Sequence, residues 1–231
     1  MTAAMDGSKP GPLTRLTTEA SQRPSGSDIP EGVDAMIMKI GAARLPEHWQ
    51  ATADELAAGY PCDRLVKTDA RALTRAVDIE APAPVTFRWL CQLRVAPYSY
   101  DWIDNRARTS PRVLTPGLDR LETGQGFGVG TLVDFARDEH ITIRAVPAAE
   151  RWFGLVALTY RVIARSGSGS RLVVRLLVHE PARPWEHIRF HLLAWGDLIM
   201  MRKQLITLKQ LAEQTAQKAA IEHHAQRPKR T

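Results

Sequence analysis

The last segment of the chain restricts its fold most. From Asp197 onward, Leu198, Met201, Leu205, Leu208 and Ala212 recur at intervals of 3, 4, 3 and 4, with Lys203, Gln210, Glu213 and Gln214 off the stripe. That spacing makes one side of a helix apolar, and such a side must be covered. Asp197, after Gly196, is expected at the helix N-terminus, where a carboxylate meets free N–H groups and the helix dipole. The helix is expected to run about seven turns or fewer. Four strand-like runs come before it: Gly128 to Phe135, His140 to Val146, Phe153 to Ala164 and Arg171 to His179. In the third, Val156, Leu158, Tyr160 and Val162 face one way and Leu155, Ala157, Thr159 and Arg161 the other. Asp138-Glu139 and Ser166-Gly167-Ser168-Gly169 are hairpin-type connections, so the strands are expected to pair antiparallel.

Upstream, Leu73, Arg75, Val77 and Ile79 alternate with Thr74, Ala76, Asp78 and Glu80, the period of a half-buried strand. Pro82 and Pro84 end it. Val85, Trp89 and Leu93 then mark a short helix. Residues 94–125 hold Pro97, Pro111 and Pro116-Gly117 and show no clean period, as in a long functional connection. A short helix is expected from Pro46, carrying Trp49, Ala53, Leu56 and Ala57, and ending at Gly59-Tyr60-Pro61. The expected organisation is a disordered extension over 1–35, a short helical linker over 36–70, a folded domain over 71–216 and a basic tail over 217–231. The architecture is α+β, a curved antiparallel sheet wrapped around the long C-terminal helix. Such a sheet leaves an apolar cavity under the helix where inward side chains do not fill it.

Charge and cysteine content limit the function. The net charge is +6, with the excess concentrated after residue 200 in Arg202, Lys203, Lys209, Lys218, Arg227, Lys229 and Arg230. These residues read first as a solvated helix face and a frayed end, with weak contact to an anionic surface as the functional alternative. No aromatic residue follows Trp195, so no stacking platform lies beside those charges and no specific nucleic-acid partner is expected. No apolar run approaches the roughly 20 residues of a membrane helix. Cys62 and Cys91 are the only cysteines, too few for a disulfide framework, and a cytoplasmic location is expected.

Specific motifs come next. Val85-Thr86-Phe87-Arg88-Trp89-Leu90-Cys91-Gln92-Leu93-Arg94 leads into Ala96-Pro97-Tyr98-Ser99-Tyr100-Asp101-Trp102-Ile103-Asp104-Asn105. Ser110-Pro111-Arg112, Leu114-Thr115-Pro116-Gly117 and Trp195-Gly196-Asp197-Leu198-Ile199-Met200-Met201-Arg202-Lys203-Gln204-Leu205 follow. Across roughly residues 60–215 the chain resembles an actinobacterial, polyketide cyclase/dehydrase-like branch of the SRPBCC, or START-like, superfamily. The resemblance implies a helix-grip (START/Bet v 1-like) fold with a deep hydrophobic cavity under the last helix. It implies no single activity, because that fold serves lipid transfer, cyclase chemistry and simple binding.

The segment 94–105 concentrates polar and aromatic groups, read as a cavity rim. Arg94 can stabilise an enolate or hold a carboxylate. Tyr98 or Tyr100 can donate to a carbonyl oxygen. Asp101 or Asp104 can take a proton from an activated carbon if burial raises its pKa. Together they would serve an aldol closure followed by loss of water. The competing reading makes Asp101, Asp104 and Asn105 turn caps, with Tyr98 and Trp102 as packing residues. Tyr160, Trp195, Met200 and Met201 complete the candidate ligand-binding set with Tyr98, Tyr100, Trp102 and Asn105. Arg144, Arg161 and Arg175 lie within apolar alternation, where an inward arginine would need a partner.

Other motifs carry no site. The glycines from Gly124 to Gly130 alternate and precede a strand, so they mark a bend rather than a nucleotide loop. His187 and His191 lack a third ligand, so no metal and no cofactor are expected. The sequence thus points to a binder of a mostly hydrophobic small molecule of polyketide, lipid or isoprenoid type. Its alternatives are an aromatase/cyclase-type enzyme and a non-enzymatic interaction module using the two termini.

Overall fold

The computed structural model describes residues 45–66, 70–99 and 109–226. Seven strands form one sheet in the order β1-β2-β7-β6-β5-β4-β3. They are β1 (His48–Trp49), β2 (Ala70–Ile79), β3 (Gly126–Phe127), β4 (Gly130–Ala136), β5 (His140–Ala145), β6 (Leu155–Ala164) and β7 (Ser170–His179). Every pairing is antiparallel except β1 with β2, which places His48 opposite Thr74 and Trp49 opposite Arg75. The helices are α1 (Ala53–Ala57), α2 (Ala83–Cys91), α3 (Pro147–Phe153) and α4 (Pro184–Ala225). Tight 3-10 turns cover Pro61–Leu65 and Gln92–Arg94. The fold is the helix grip expected, a sheet closed by a long C-terminal helix.

The strand alternation sorts residues to the two faces. Leu73, Val77 and Ile79 of β2, Leu158, Tyr160 and Val162 of β6, and Leu172, Val174 and Leu176 of β7 face the helices. They pack with Phe87, Trp89 and Leu90 of α2 and with Leu205, Leu208 and Ala212 of α4. Gly130 is required where β4 pairs with β5, because a Cβ there would stand 2.1 Å from the Arg144 carbonyl oxygen.

The opposite face is also covered. Ala76, Ala157, Val173 and Leu177 pack with Ala51, Tyr60 and Cys62. Residues 50–66, expected as part of a linker, therefore form a strap across the back of the sheet. Polar pins hold it there. Arg171 binds both Glu55 carboxylate oxygens and the Gln50 carbonyl. Arg175 donates to the Glu55 and Leu56 carbonyls and to Asp63 at 3.3 Å, and lies 4.3 Å from the centre of the Tyr60 ring. The Cys62 N–H donates to Thr159 Oγ1 at 3.1 Å. The sequence helix at Pro46 begins later, at Ala53, because Thr52 and Glu55 form a reciprocal cap. Trp49 falls on β1 instead.

Two other elements depart from the sequence reading. Helix α3 occupies the gap between two strand-like runs and takes Phe153, the first residue of the run expected to reach Ala164. Pro147 stands in its first turn, and Gly154 closes it at φ 68°. Helix α4 spans 42 residues and starts at Pro184, not Asp197. The Glu186 carboxylate accepts from the Ala182 and Arg183 N–H groups and caps that start. Gly196 and Asp197 lie inside the helix.

Candidate functional site

The early start of α4 gives it a second apolar stripe. Trp185, Ile188, Leu192, Trp195 and Ile199 repeat at 3, 4, 3 and 4 and are all exposed. Phe190, Ala194, Leu198 and Met201 are buried on the core side of the same turns. Trp152 and Phe153 of α3 are exposed as well.

Where α3, the ends of β6 and β7, and the first turns of α4 meet, a pocket of about 410 Å³ opens. Its wall is amphipathic. Phe153, Trp185, Phe190 and Leu193 line it together with Arg151 and Arg189. The volume lies within the range of small-molecule sites. Its carboxylates already have partners. Glu150 bonds His179 Nε2 at 2.9 Å, and Glu180 lies 3.9 Å from Arg71. Glu186 caps α4, and hydrogen bonds from the Ala182 and then the Arg183 N–H hold its carboxyl below the usual value.

Deeper under α4, a polar cluster crosses the apolar interior. The fully buried Arg75 side chain donates to Asp197 Oδ2 at 3.0 Å and to the Glu47 and Thr74 carbonyls. Burial pushes the Asp197 carboxyl above its usual value against the pull of Arg75. Burial, and next the Asp197 charge, push the Tyr160 hydroxyl strongly upward. Tyr160 donates to Gln204 Oε1 at 2.8 Å, and Gln204 Nε2 donates to the Pro97 carbonyl at 2.6 Å. An ion pair in such surroundings costs desolvation that a hydrophobic pair would not. Arg75 Nε, moreover, has no hydrogen-bond partner among the described residues.

The sequence candidates divide. Asp101, Asp104, Tyr100, Trp102 and Asn105 lie outside the described residues. Tyr160 belongs to the cluster under α4. Tyr98 is buried edge-on to Trp89, ring centres 6.1 Å apart, next to the Pro97 that Gln204 holds. Met201 is in the core and Met200 is half-buried. Arg94 is turned to the Leu118 and Arg120 carbonyls at 3.1 and 3.3 Å and braces that connection. Trp195 looks outward on the second stripe. None of these described candidates lines the 410 Å³ pocket. Of the strand arginines, Arg175 is on the back face under the strap, and Arg144 and Arg161 are exposed. The inward arginine is Arg75. Its signal was present: an arginine in phase with Leu73, Val77 and Ile79 needs a partner. Arg151, Arg189 and Gln204 gave no such signal.

No family model and no curated protein matches this chain. Solved structures do overlap it. The self-sacrificing resistance protein CalC from Micromonospora echinospora is 15% identical, with 64% of this chain and 95% of that one covered, at a TM-score of 0.34. The Polyketide_cyc-like protein from Corynebacterium glutamicum is 12% identical over 70% of this chain and 99% of that one, at 0.29. The di-domain ARO/CYC BexL of the BE-7585A biosynthetic pathway is 15% identical over 80% and 59%, at 0.34. The fold assignment rests on strand order and the covering helix, not on these overlaps. Among the described residues no helix is long and apolar enough to cross a membrane, and no group of three His, Cys, Asp or Glu could hold a metal ion.

Proposed function

We propose that the protein binds a mostly hydrophobic small molecule between the sheet and the C-terminal helix, of polyketide, lipid or isoprenoid type. The observation that carries this reading is the 410 Å³ pocket walled by Phe153, Trp185, Phe190 and Leu193. Burial of apolar ligand surface there supplies about 25 cal/mol per Å² before the costs of association. The test is native mass spectrometry of protein from its own host, followed by denaturing extraction. A stoichiometric apolar molecule, lost in a Leu193→Trp variant that thickens the wall, is the expected result. Protein that is empty and takes up no hydrophobic probe overturns the reading.

A second reading is cyclase-type aldol closure and dehydration. It is favoured by the Asp197 carboxyl, raised by burial, beside Arg75 and within electrostatic reach of Tyr160. Asp101 and Asp104 remain its other proposed acid-base groups. Loss of turnover with retained binding in Asp101→Asn, Asp104→Asn or Asp197→Asn supports it. Normal turnover in all three removes it.

A further inference from the structure

We propose that the ligand of this pocket carries an anionic end, a carboxylate or an acid of similar size, read by Arg151 and Arg189. The inference rests on the binding reading above and adds the polarity of the ligand to it.

The argument is one of partnered and unpartnered polar groups. Three carboxylates line the pocket, and each is held by the protein itself. Glu150 has His179, Glu180 has Arg71, and Glu186 has two backbone N–H groups. The two arginines in the same wall are not so held. Among the described residues neither Arg151 nor Arg189 has a carboxylate within ion-pair distance. Arg189 lies one turn from Glu186 and only adds to the field there. The two guanidinium groups also come from different elements, α3 and α4, so the sequence neither pairs them nor spaces them along one surface.

The same wall carries apolar surface. Phe153 and Trp185 keep exposed ring surface at the mouth, while Phe190 is buried deeper. Arg71 lies 4.9 Å from the centre of the Phe190 ring. A neutral hydrocarbon would leave both guanidinium groups facing an apolar guest. An amphiphilic acid would bury its hydrocarbon on the rings and present its oxygens to the forked N–H donors of arginine, whose geometry suits a carboxylate.

The probe is 11-(dansylamino)undecanoate, compared with its primary amide by fluorescence titration on the full chain. The acid is expected to bind roughly five- to twentyfold more tightly than the amide, as two exposed charge contacts allow. The Arg151→Gln/Arg189→Gln double variant should bring the acid down to the affinity of the amide without changing the amide. The Arg151→Lys/Arg189→Lys variant should keep part of the preference. Both variants change exposed side chains, and an unchanged far-ultraviolet spectrum confirms folding. If acid and amide bind alike, or the glutamine variant loses both equally, the anionic-end inference fails while hydrophobic binding stands. If neither probe binds, both inferences fail.

Discussion

The two faces of the sheet are closed by different means. The back is closed by residues 50–66, a strap that seats Ala51, Tyr60 and Cys62 on the sheet and is located by polar pins from Arg171 and Arg175. The front is closed by α4, which packs through Met201, Leu205, Leu208 and Ala212. Polar pins give a segment one position, although Arg175 Nε has no hydrogen-bond partner among the described residues. Apolar packing is less exacting, and α4 is longer than the core it covers. Its first four turns therefore keep a second stripe exposed and shape a pocket with α3. The back face is closed, and the pocket opens where the first turns of α4 meet α3.

Four experiments sharpen or break that contrast. The largest effect is expected on the packed half of α4. Leu205 is 0% exposed, and Leu205→Ala should cost about 2–5 kcal/mol in denaturant unfolding. Leu192 is 70% exposed on the second stripe, and Leu192→Ala should stay within about 0.5 kcal/mol. Equal losses would mean that both stripes pack alike.

Next comes the Arg75–Asp197 pair at the junction of the two halves. Asp197→Ala leaves the Arg75 guanidinium buried without its carboxylate. The expected loss is about 2–3 kcal/mol, below the roughly 3–5 of a fully buried pair because the Asp197 side chain is 28% exposed. A neutral outcome would show that water or a carbonyl takes over.

The third experiment reads the back face. Burial pushes the Cys62 thiol to about 11 and the Cys91 thiol to about 12, so neither should react with a thiol reagent in the native state. Arg175→Ala removes pins to Asp63, Glu55 and Leu56. Labelling of Cys62 should then accelerate by on the order of tenfold through local opening, with Cys91 unchanged. Parallel acceleration at both sites would mean that the strap opens only with global unfolding.

The smallest effect is a pH dependence. Burial raises the Glu55 pKa, but hydrogen bonds from Arg171 and Thr52 outweigh it and hold the carboxyl below 4.5. A depressed folded value means that the stabilisation is present above about pH 4.5 and is lost as pH falls through the lower value. Thermal midpoints of Glu55→Gln should therefore fall less steeply with acid than those of the parent. Superimposable curves would assign no linkage to Glu55.

The strands and the C-terminal stripe were legible because each follows one period. Leu198 to Ala212 are spaced as a helix whatever surrounds them. The true start of α4 was hidden by its own second stripe, since apolar residues on two sides blur the 3.6 period, and an internal Gly196 read as a boundary. Helix α3 was not read, because its seven residues are too few to show a period and Phe153 was joined to the run of β6. Pro147 and Gly154 were there to separate them. The strap was not legible, because its anchors, Arg171 and Arg175, lie more than 100 residues away in sequence. Tyr160 was legible as a residue in phase with Leu158 and Val162 on one face of β6, but it does not line the pocket. The pocket wall of α3 and early α4 was not legible, since it depends on two helices whose boundaries the sequence blurred.

Beyond Ala216, which is half-buried, the residues of α4 are exposed through Gln226. Gln217 to Ala225 is thus an exposed stretch of helix among the described residues. An isolated peptide of that length would be random, because it could not meet the entropic cost of its first turn. Here the packed turns before it supply that nucleus, and each further residue only adds one bond in a near-neutral equilibrium. The end should therefore unravel residue by residue, as a sloping baseline in helical signal well below the cooperative transition, and its length in solution is a property of temperature as much as of fold.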